Sequence, residues 1–377
     1  MGQQGVAAAI SEQATARAGG SPAGAKPARR PAMLDSIQYL RAIAAWLVVV
    51  YHVHASVAAE AREPVTWALG AVGVDIFFVL SGFLMAMVVD RDERIDWRFL
   101  ARRYMRIAPL YYAMTILLFI MAIAWPALLN TVTADWQHLL TSLLFLPSGG
   151  INGGNQPILM LGWTLNYEMA FYLLVFVFVR WIGDRHLIGL VLFLAAVVMA
   201  GQWAGPQNMV LRFYTDSIIL EFALGILVYN CTFRDRGMPH PGWIYWAALA
   251  AGILLLMLGE EGEPRMWRFL LWGVPAALIV AGGVHVFNAR IGWLRKLGDW
   301  SYSTYLVHVY VIQALVKVLL PLAGLPVTQP LALFLAVAPI IVLASFVMYR
   351  RLEMPVMGWL GRRMAAGRCR REAGASG

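Results

Sequence analysis

The sequence predicts an all-α integral membrane protein: a bundle of about ten transmembrane helices with both termini in the cytoplasm. Three observations carry this. The chain is 60% hydrophobic and 14% charged, whereas soluble domains run at about 45–50% apolar and about 25% charged. Its mean hydropathy is +0.65, and apolar runs of bilayer-spanning length recur along it. The positive charge is also sided. With the N-terminus inside, 24 of the 30 Lys and Arg fall in cytoplasmic segments and 4 outside, the remaining two lying within spans. That is the asymmetry of the positive-inside rule.

Residues 1–32 are rich in Ala, Gly, Pro and Ser and read as a disordered cytoplasmic tail. The first apolar run, Ile37–Val57, follows basic residues and is too long for the core of a cleaved signal, so it reads as a retained anchor. The spans fall at about 37–57, 70–89, 109–125, 163–182, 186–204, 213–230, 243–259, 268–287, 301–320 and 329–349. The membrane domain runs over 33–353, and a basic cytoplasmic tail over 354–377. The longest outer loop, Pro126–Gly162, holds the turn-rich PSGGINGGNQP and reads either as a lid or as a connector. The net charge of +9 sits in short loops between spans, so it speaks for topology and not for a nucleic-acid partner. The two cysteines, Cys231 and Cys369, both fall on the cytoplasmic side and imply no disulfide framework. The sequence holds no metal motif, P-loop or dinucleotide fingerprint.

Two residues of the first span do not suit a plain anchor, Arg41 and His52. Ionisable groups inside a membrane are costly and mark functional sites. Eleven residues of helix bring both to one face, with a rise between them of about 16 Å. Asp75 in GVDIFFVLSGFL and Glu168 in WTLNYEMAFY fall at a depth similar to that of His52, in the outer third. An imidazole oriented by a carboxylate is a general acid/base unit, so either acid is a candidate partner of His52. The plainer reading makes His52 a satisfied core histidine and the two acids helix caps. On the inner side, WRFLARRYMRIAP carries Arg98, Arg102, Arg103 and Arg106, guanidiniums suited to phosphates or simply to topology. Tyr302, Tyr305 and His308 share a helix face, with His308 placed towards the cytoplasmic half. His308 either lines a donor channel or is a structural hydrogen-bonder. Glu221 and Lys317 also lie within spans, without a partner assignable from sequence, and His54 faces away from His52.

QYLRAIAAWLVVVYH, GVDIFFVLSGFL, RRYMRIAPLYY, GWTLNYEMAFYLL and LGDWSYSTYLVH occur in that order over about Ile37 to Glu353. Together they resemble the acyltransferase-3 family of integral membrane O-acyltransferases, most closely its members that acetylate bacterial exopolysaccharides. The resemblance implies a ten-helix enzyme of the bacterial inner membrane. It would take an acyl group, acetyl foremost, from cytoplasmic acyl-CoA as a donor substrate, with no tightly bound cofactor. The acceptor would be a hydroxyl of an extracytoplasmic glycan, free or lipid-linked, and a polysaccharide-assembly complex is a possible partner. The family's essential Arg and His fall on Arg41 and His52, its arginine motif on Arg102, Arg103 and Arg106, its Ser-Gly-Phe motif on Ser81, and its acidic residue on Glu168. Ser81 reads as a packing or hydrogen-bonding residue, or as a transient acyl carrier. Some relatives carry an additional hydrolase-like domain. This sequence ends soon after the tenth span, so the expectation is transfer completed alone or with a partner.

Two other classes fit the charged residues: a glycan or lipid transporter, which needs no acyl-CoA, and a non-catalytic member of an envelope complex, in which Arg41 and His52 tolerate replacement.

Overall fold

The computed structural model describes residues 32–363 apart from 66–67, 92–94, 130–131, 133, 149–155, 235–240, 259–267, 288 and 327–328. Among the described residues all regular structure is helical. The main helices are α1 (Ala32–Ala61), α2 (Val72–Arg91), α3 (Trp97–Ala124), α4 (Trp136–Leu143), α5 (Gly162–Val177, prolonged to Ile182) and α6 (Ile188–Ala204). After these come α7 (Met209–Tyr214), α8 (Leu220–Tyr229), α9 (Gly242–Leu258), α10 (Val274–Val286), α11 (Gly292–Asp299), α12 (Ser301–Ala314) and α13 (Pro330–Met348). Among the described residues seven helices are long and apolar enough to cross a membrane, and α6 and α9 are shorter apolar helices. The chain is a multi-pass membrane protein.

The expected span at 213–230 is not one uninterrupted helix. Asn208 caps α7 by accepting from the amides of Val210 and Leu211, and Asp216 accepts from the amide of Ile218 to start a new helical segment. Two caps within nine residues restart the backbone where hydropathy alone reads a continuous run. The arginine segment 98–106 differs in the opposite sense. Asp96 accepts from the amide of Arg98, so the helix begins at Trp97 and the arginines form its first turns. Helix α13 passes through Glu353 and remains helical over 354–363, into the stretch read as a tail.

Helix α2 is the centre of the bundle and is buried along nearly its whole length. It meets α8 at backbone contact. A Cβ on Gly225 would stand 2.0 Å from the Val79 carbonyl oxygen, and one on Gly82 2.0 Å from that of Phe222. Small residues let apolar helices approach this closely, and packing replaces the hydrophobic effect as the association force in lipid.

Helices α1 and α12 run side by side in the same direction. Arg41 donates to Ser301 and Gln313 to Ser56 at 3.4 Å, in the same order along both, and just before α12 Gln38 donates to Asp299 at the end of α11 at 2.9 Å. The segment between α3 and α5, read as an outer loop, turns back along α3. Trp136 packs on Phe119, and at the other end of α4 Tyr111 and Tyr112 donate to the carbonyls of Ser142 and Leu143. Ser142 then accepts from the amide of Ile158, which brings the start of α5 to the middle of α3. Most of the glycine-rich cluster, 149–155, lies outside the described residues.

Candidate active site

A cavity opens where α1, α2, α3, α5 and α12 meet. Its polar lining is Arg41, Ser81, Arg103, Arg106, Glu168, Thr164 and three tyrosines, and the remainder is apolar. Helix α1 supplies Arg41, which is 8% exposed. It does not reach outward to headgroups: its Nε and Nη2 donate to Ser301 Oγ at 3.1 and 2.8 Å. Arg103 and Arg106, one turn apart on α3, enter from the facing side. The Arg103 guanidinium lies 5.6 Å from the ring centres of both Phe99 and Tyr172, a cation–π setting. Arg102 does not line the cavity.

Glu168 projects from α5. Its Oε1 accepts from Ser81 Oγ at 2.8 Å and from Tyr172 OH at 2.7 Å. Tyr172 was not singled out from sequence, although its i+4 spacing from Glu168 is the signal that finds it. Tyr302 donates to the Ile107 carbonyl at 2.6 Å, and Tyr305 shares a hydrogen bond of 3.0 Å with Thr164. The expected Arg41, Ser81, Arg103, Arg106, Glu168, Tyr302 and Tyr305 are thus brought together. Among the described residues none of the three arginines has a carboxylate within ion-pair distance. Three guanidiniums face one carboxylate in the cavity lining; the buried Glu353 near Arg41 and Arg106 offsets a further part of their charge and still leaves an excess of positive charge that favours an anionic ligand.

The structure corrects the expected acid/base trio. His52, Asp75 and Glu168 occupy three separate environments: Glu168 lies at the level of Ser81, six residues along α2 from Asp75, so the two acids differ in depth, and His52 touches neither. Asp75 Oδ2 pairs with Arg268 Nη2 at 2.8 Å, and Glu221 lies against it. Nothing in the sequence links Arg268 to a residue 193 positions away. Glu168 is engaged with Ser81 and Tyr172. His52 meets neither acid. Its Nδ1 lies 2.9 Å from the Val48 carbonyl oxygen and 3.3 Å from His308 Nε2.

His308 is corrected as well. It is fully buried against His52 and does not line the cavity. The two imidazole centres are 4.9 Å apart. Tyr305 stands between this pair and the cavity, its ring centre 6.1 Å from that of His308. His54, as expected, turns elsewhere and bonds the Val50 carbonyl.

Comparison with known proteins shows the family to which the chain belongs. A family model described as an acyltransferase domain matches residues 34–350. The chain is 34% identical over 322 residues to the exopolysaccharide production protein ExoZ of Rhizobium meliloti, covering 81% of this chain and 96% of that one. It is 29% identical to the acyltransferase MdmB of Streptomyces mycarofaciens, over 78% of this chain and 83% of that protein. It is 26% identical to the peptidoglycan O-acetyltransferase OatA of Listeria monocytogenes, over 86% of this chain and 56% of that protein. No solved structure matches.

Proposed function

We propose that this chain, which belongs to the acyltransferase family whose domain it carries and is an O-acyltransferase, moves an acyl group from acyl-CoA to a hydroxyl of an extracytoplasmic glycan. Acetyl is the group favoured, and an exopolysaccharide or its lipid-linked precursor is the acceptor favoured by the likeness to ExoZ and OatA. The observation that carries the reading is the cavity with three unpaired arginines. Coenzyme A is a polyanion, and guanidiniums hold its phosphates with charge-assisted hydrogen bonds. The inner membrane is the favoured location. The 24-to-4 distribution of Lys and Arg supports cytoplasmic termini. An even number of crossings is obtained when α6, α9 and the interrupted α7–α8 segment join the seven long helices, giving ten.

In this reading the donor enters from the cytoplasmic side and Arg41, Arg103 and Arg106 hold its anionic part. The rise of about 16 Å from Arg41 to His52 gives an extended thioester arm room along α1. His52 takes the proton of the acceptor hydroxyl, the oxygen attacks the thioester carbonyl, and the CoA thiolate departs and takes up that proton. Glu168 holds Ser81 and Tyr172 in place and offsets part of the arginine charge. Asp75, locked to Arg268, has a structural role.

The test is CoA release from acetyl-CoA by the protein in nanodiscs, wild type against His52→Ala, with an alkali-de-esterified bacterial exopolysaccharide as acceptor. Release that requires the acceptor and is lost in His52→Ala supports the reading. A protein that neither binds nor consumes acetyl-CoA or longer acyl-CoAs overturns it in favour of transport.

A further inference from the structure

The proposed mechanism leaves the proton-accepting imidazole without the carboxylate that usually orients such a ring. The structure puts a second imidazole in that place. His308 Nδ1 lies 3.0 Å from the Thr304 carbonyl oxygen. A carbonyl only accepts, so Nδ1 carries the proton and Nε2 of the neutral ring is a bare lone pair. That lone pair faces His52 Nδ1 at 3.3 Å. His52 Nδ1 also lies 2.9 Å from the Val48 carbonyl, so it too carries the proton. Both rings hold the same tautomer, and the His52 N–H is shared between a carbonyl and an imidazole. The reverse assignment would point the His52 Nδ1 lone pair at the Val48 carbonyl oxygen. His52 Nε2 is then left as a free base, on a half-buried side chain, with no hydrogen-bond partner among the described residues.

We infer that His308 is a positioning residue for His52, acting as the neutral counterpart of the orienting carboxylate in a hydrolase triad. This rests on the proposed acyl transfer and deepens it. When the acceptor O–H bond breaks, its proton forms a bond to His52 Nε2, while the oxygen electron pair forms the new ester bond and the C–S bond of the thioester breaks. The imidazolium so formed makes its Nδ1–H a stronger donor, and His308 Nε2 accepts it more fully. The charge is thereby spread over two rings without a permanent anion in the membrane interior. The thiolate then recovers the proton from His52 Nε2, and both rings return to their starting tautomers. A neutral partner fits a site already bordered by three guanidiniums and one carboxylate, because the resting pair adds no charge to the membrane interior.

The test compares His308→Phe, which keeps a ring and removes the acceptor atom, with His308→Gln, whose Oε1 can accept from His52 Nδ1. Acetyl-CoA is the donor in nanodiscs. The expected result for His308→Phe is a fall in kcat of about 100-fold, within the range of general-base effects, with the KM for acetyl-CoA unchanged. His308→Gln should recover at least a tenth of the wild-type rate. A raised donor KM with kcat preserved overturns the inference and makes His308 part of the donor route. Equal losses in both variants overturn it in favour of packing alone.

Solid-state nitrogen NMR of the histidine-labelled wild-type protein in bilayers gives a readout independent of turnover. The His308 signals, identified by difference against His308→Gln, should show a protonated Nδ1 and a bare Nε2. A protonated Nε2 on His308 excludes the proposed contact. If the protein consumes no acyl-CoA at all, the acyl-transfer reading fails while the NMR result still decides whether His308 accepts from His52.

Discussion

Helix α2 carries two buried polar sites six residues apart, and they are built on opposite rules. Around Asp75, two carboxylates share one guanidinium, and all three groups come from different elements locked against one another. Around Ser81, three guanidiniums share one carboxylate, and the hydrogen bonds they find are to hydroxyl groups or none. The first site is closed: Asp75 and Glu221 are fully buried and the Arg268 fork reaches in from the surface. The second surrounds open space. A buried charge needs a partner. Where the fold supplies it, the charges hold helices together. Where the fold withholds it, the partner is a ligand. The comparison assigns structure to Asp75 and binding to Arg41, Arg103 and Arg106, although Asp75 and Arg41 are equally conspicuous in the sequence as ionisable residues inside spans.

The largest effect follows from breaking the closed site. Arg268→Ala leaves Asp75 and Glu221 facing each other without a cation. Removing one partner of a buried ion pair costs about 3–5 kcal/mol. Thermal unfolding in detergent should show a marked drop in Tm, and the triple change Asp75→Asn, Glu221→Gln and Arg268→Gln should recover most of it, because no uncompensated charge remains. A Tm for Arg268→Ala equal to wild type would contradict the structural role.

The open site should respond with the opposite sign. Arg103→Met removes a buried cation that has no ion-pair partner and keeps an elongated side chain between Phe99 and Tyr172. Stability in the absence of donor should hold or rise, while affinity for acetyl-CoA falls by about 10- to 100-fold, the loss of a charge-assisted hydrogen bond worth about 1.5–3 kcal/mol. Calorimetric titration with acetyl-CoA, run beside the melting curve, reads both. A parallel loss of stability and affinity would erase the distinction between the two sites.

Some of this was legible in the sequence and some was not, for definite reasons. The helical class, the membrane setting and the ionisable residues within spans follow from composition and hydropathy, which are local. Arg41, Arg103, Arg106, Ser81 and Glu168 meet as the motifs suggest. Neither depth nor azimuth was legible by counting from span ends: Glu168 meets Ser81, six residues along α2 from Asp75, and His52 meets neither acid. His308 was placed in the cytoplasmic half by counting from the start of its span, yet α1 and α12 lie so that the two imidazoles touch. Caps overrode hydropathy at 213–230, where Asp216 restarts the helix. The segment between α3 and α5 is polar enough to read as a surface loop, and only its bonds to Tyr111 and Tyr112 reveal that it folds back on α3.

The smallest expected effect bears on the chemistry of the open site. Ser81 Oγ donates to Glu168 Oε1, which already accepts from Tyr172. A hydroxyl that serves as an acyl carrier needs a base to take its proton. This one gives its hydrogen bond to a carboxylate held in a network with an aromatic hydroxyl, and the His52–His308 pair lies beyond the cavity lining. Ser81→Ala removes one of two donors to Glu168 and nothing that the proposed transfer uses directly. The cost should be about 1 kcal/mol, seen as a small Tm decrease and a change in kcat of no more than about fivefold. Complete loss of CoA release in Ser81→Ala with the Tm preserved would reassign Ser81 as the carrier, and with it move the proton-accepting role from His52 to Glu168.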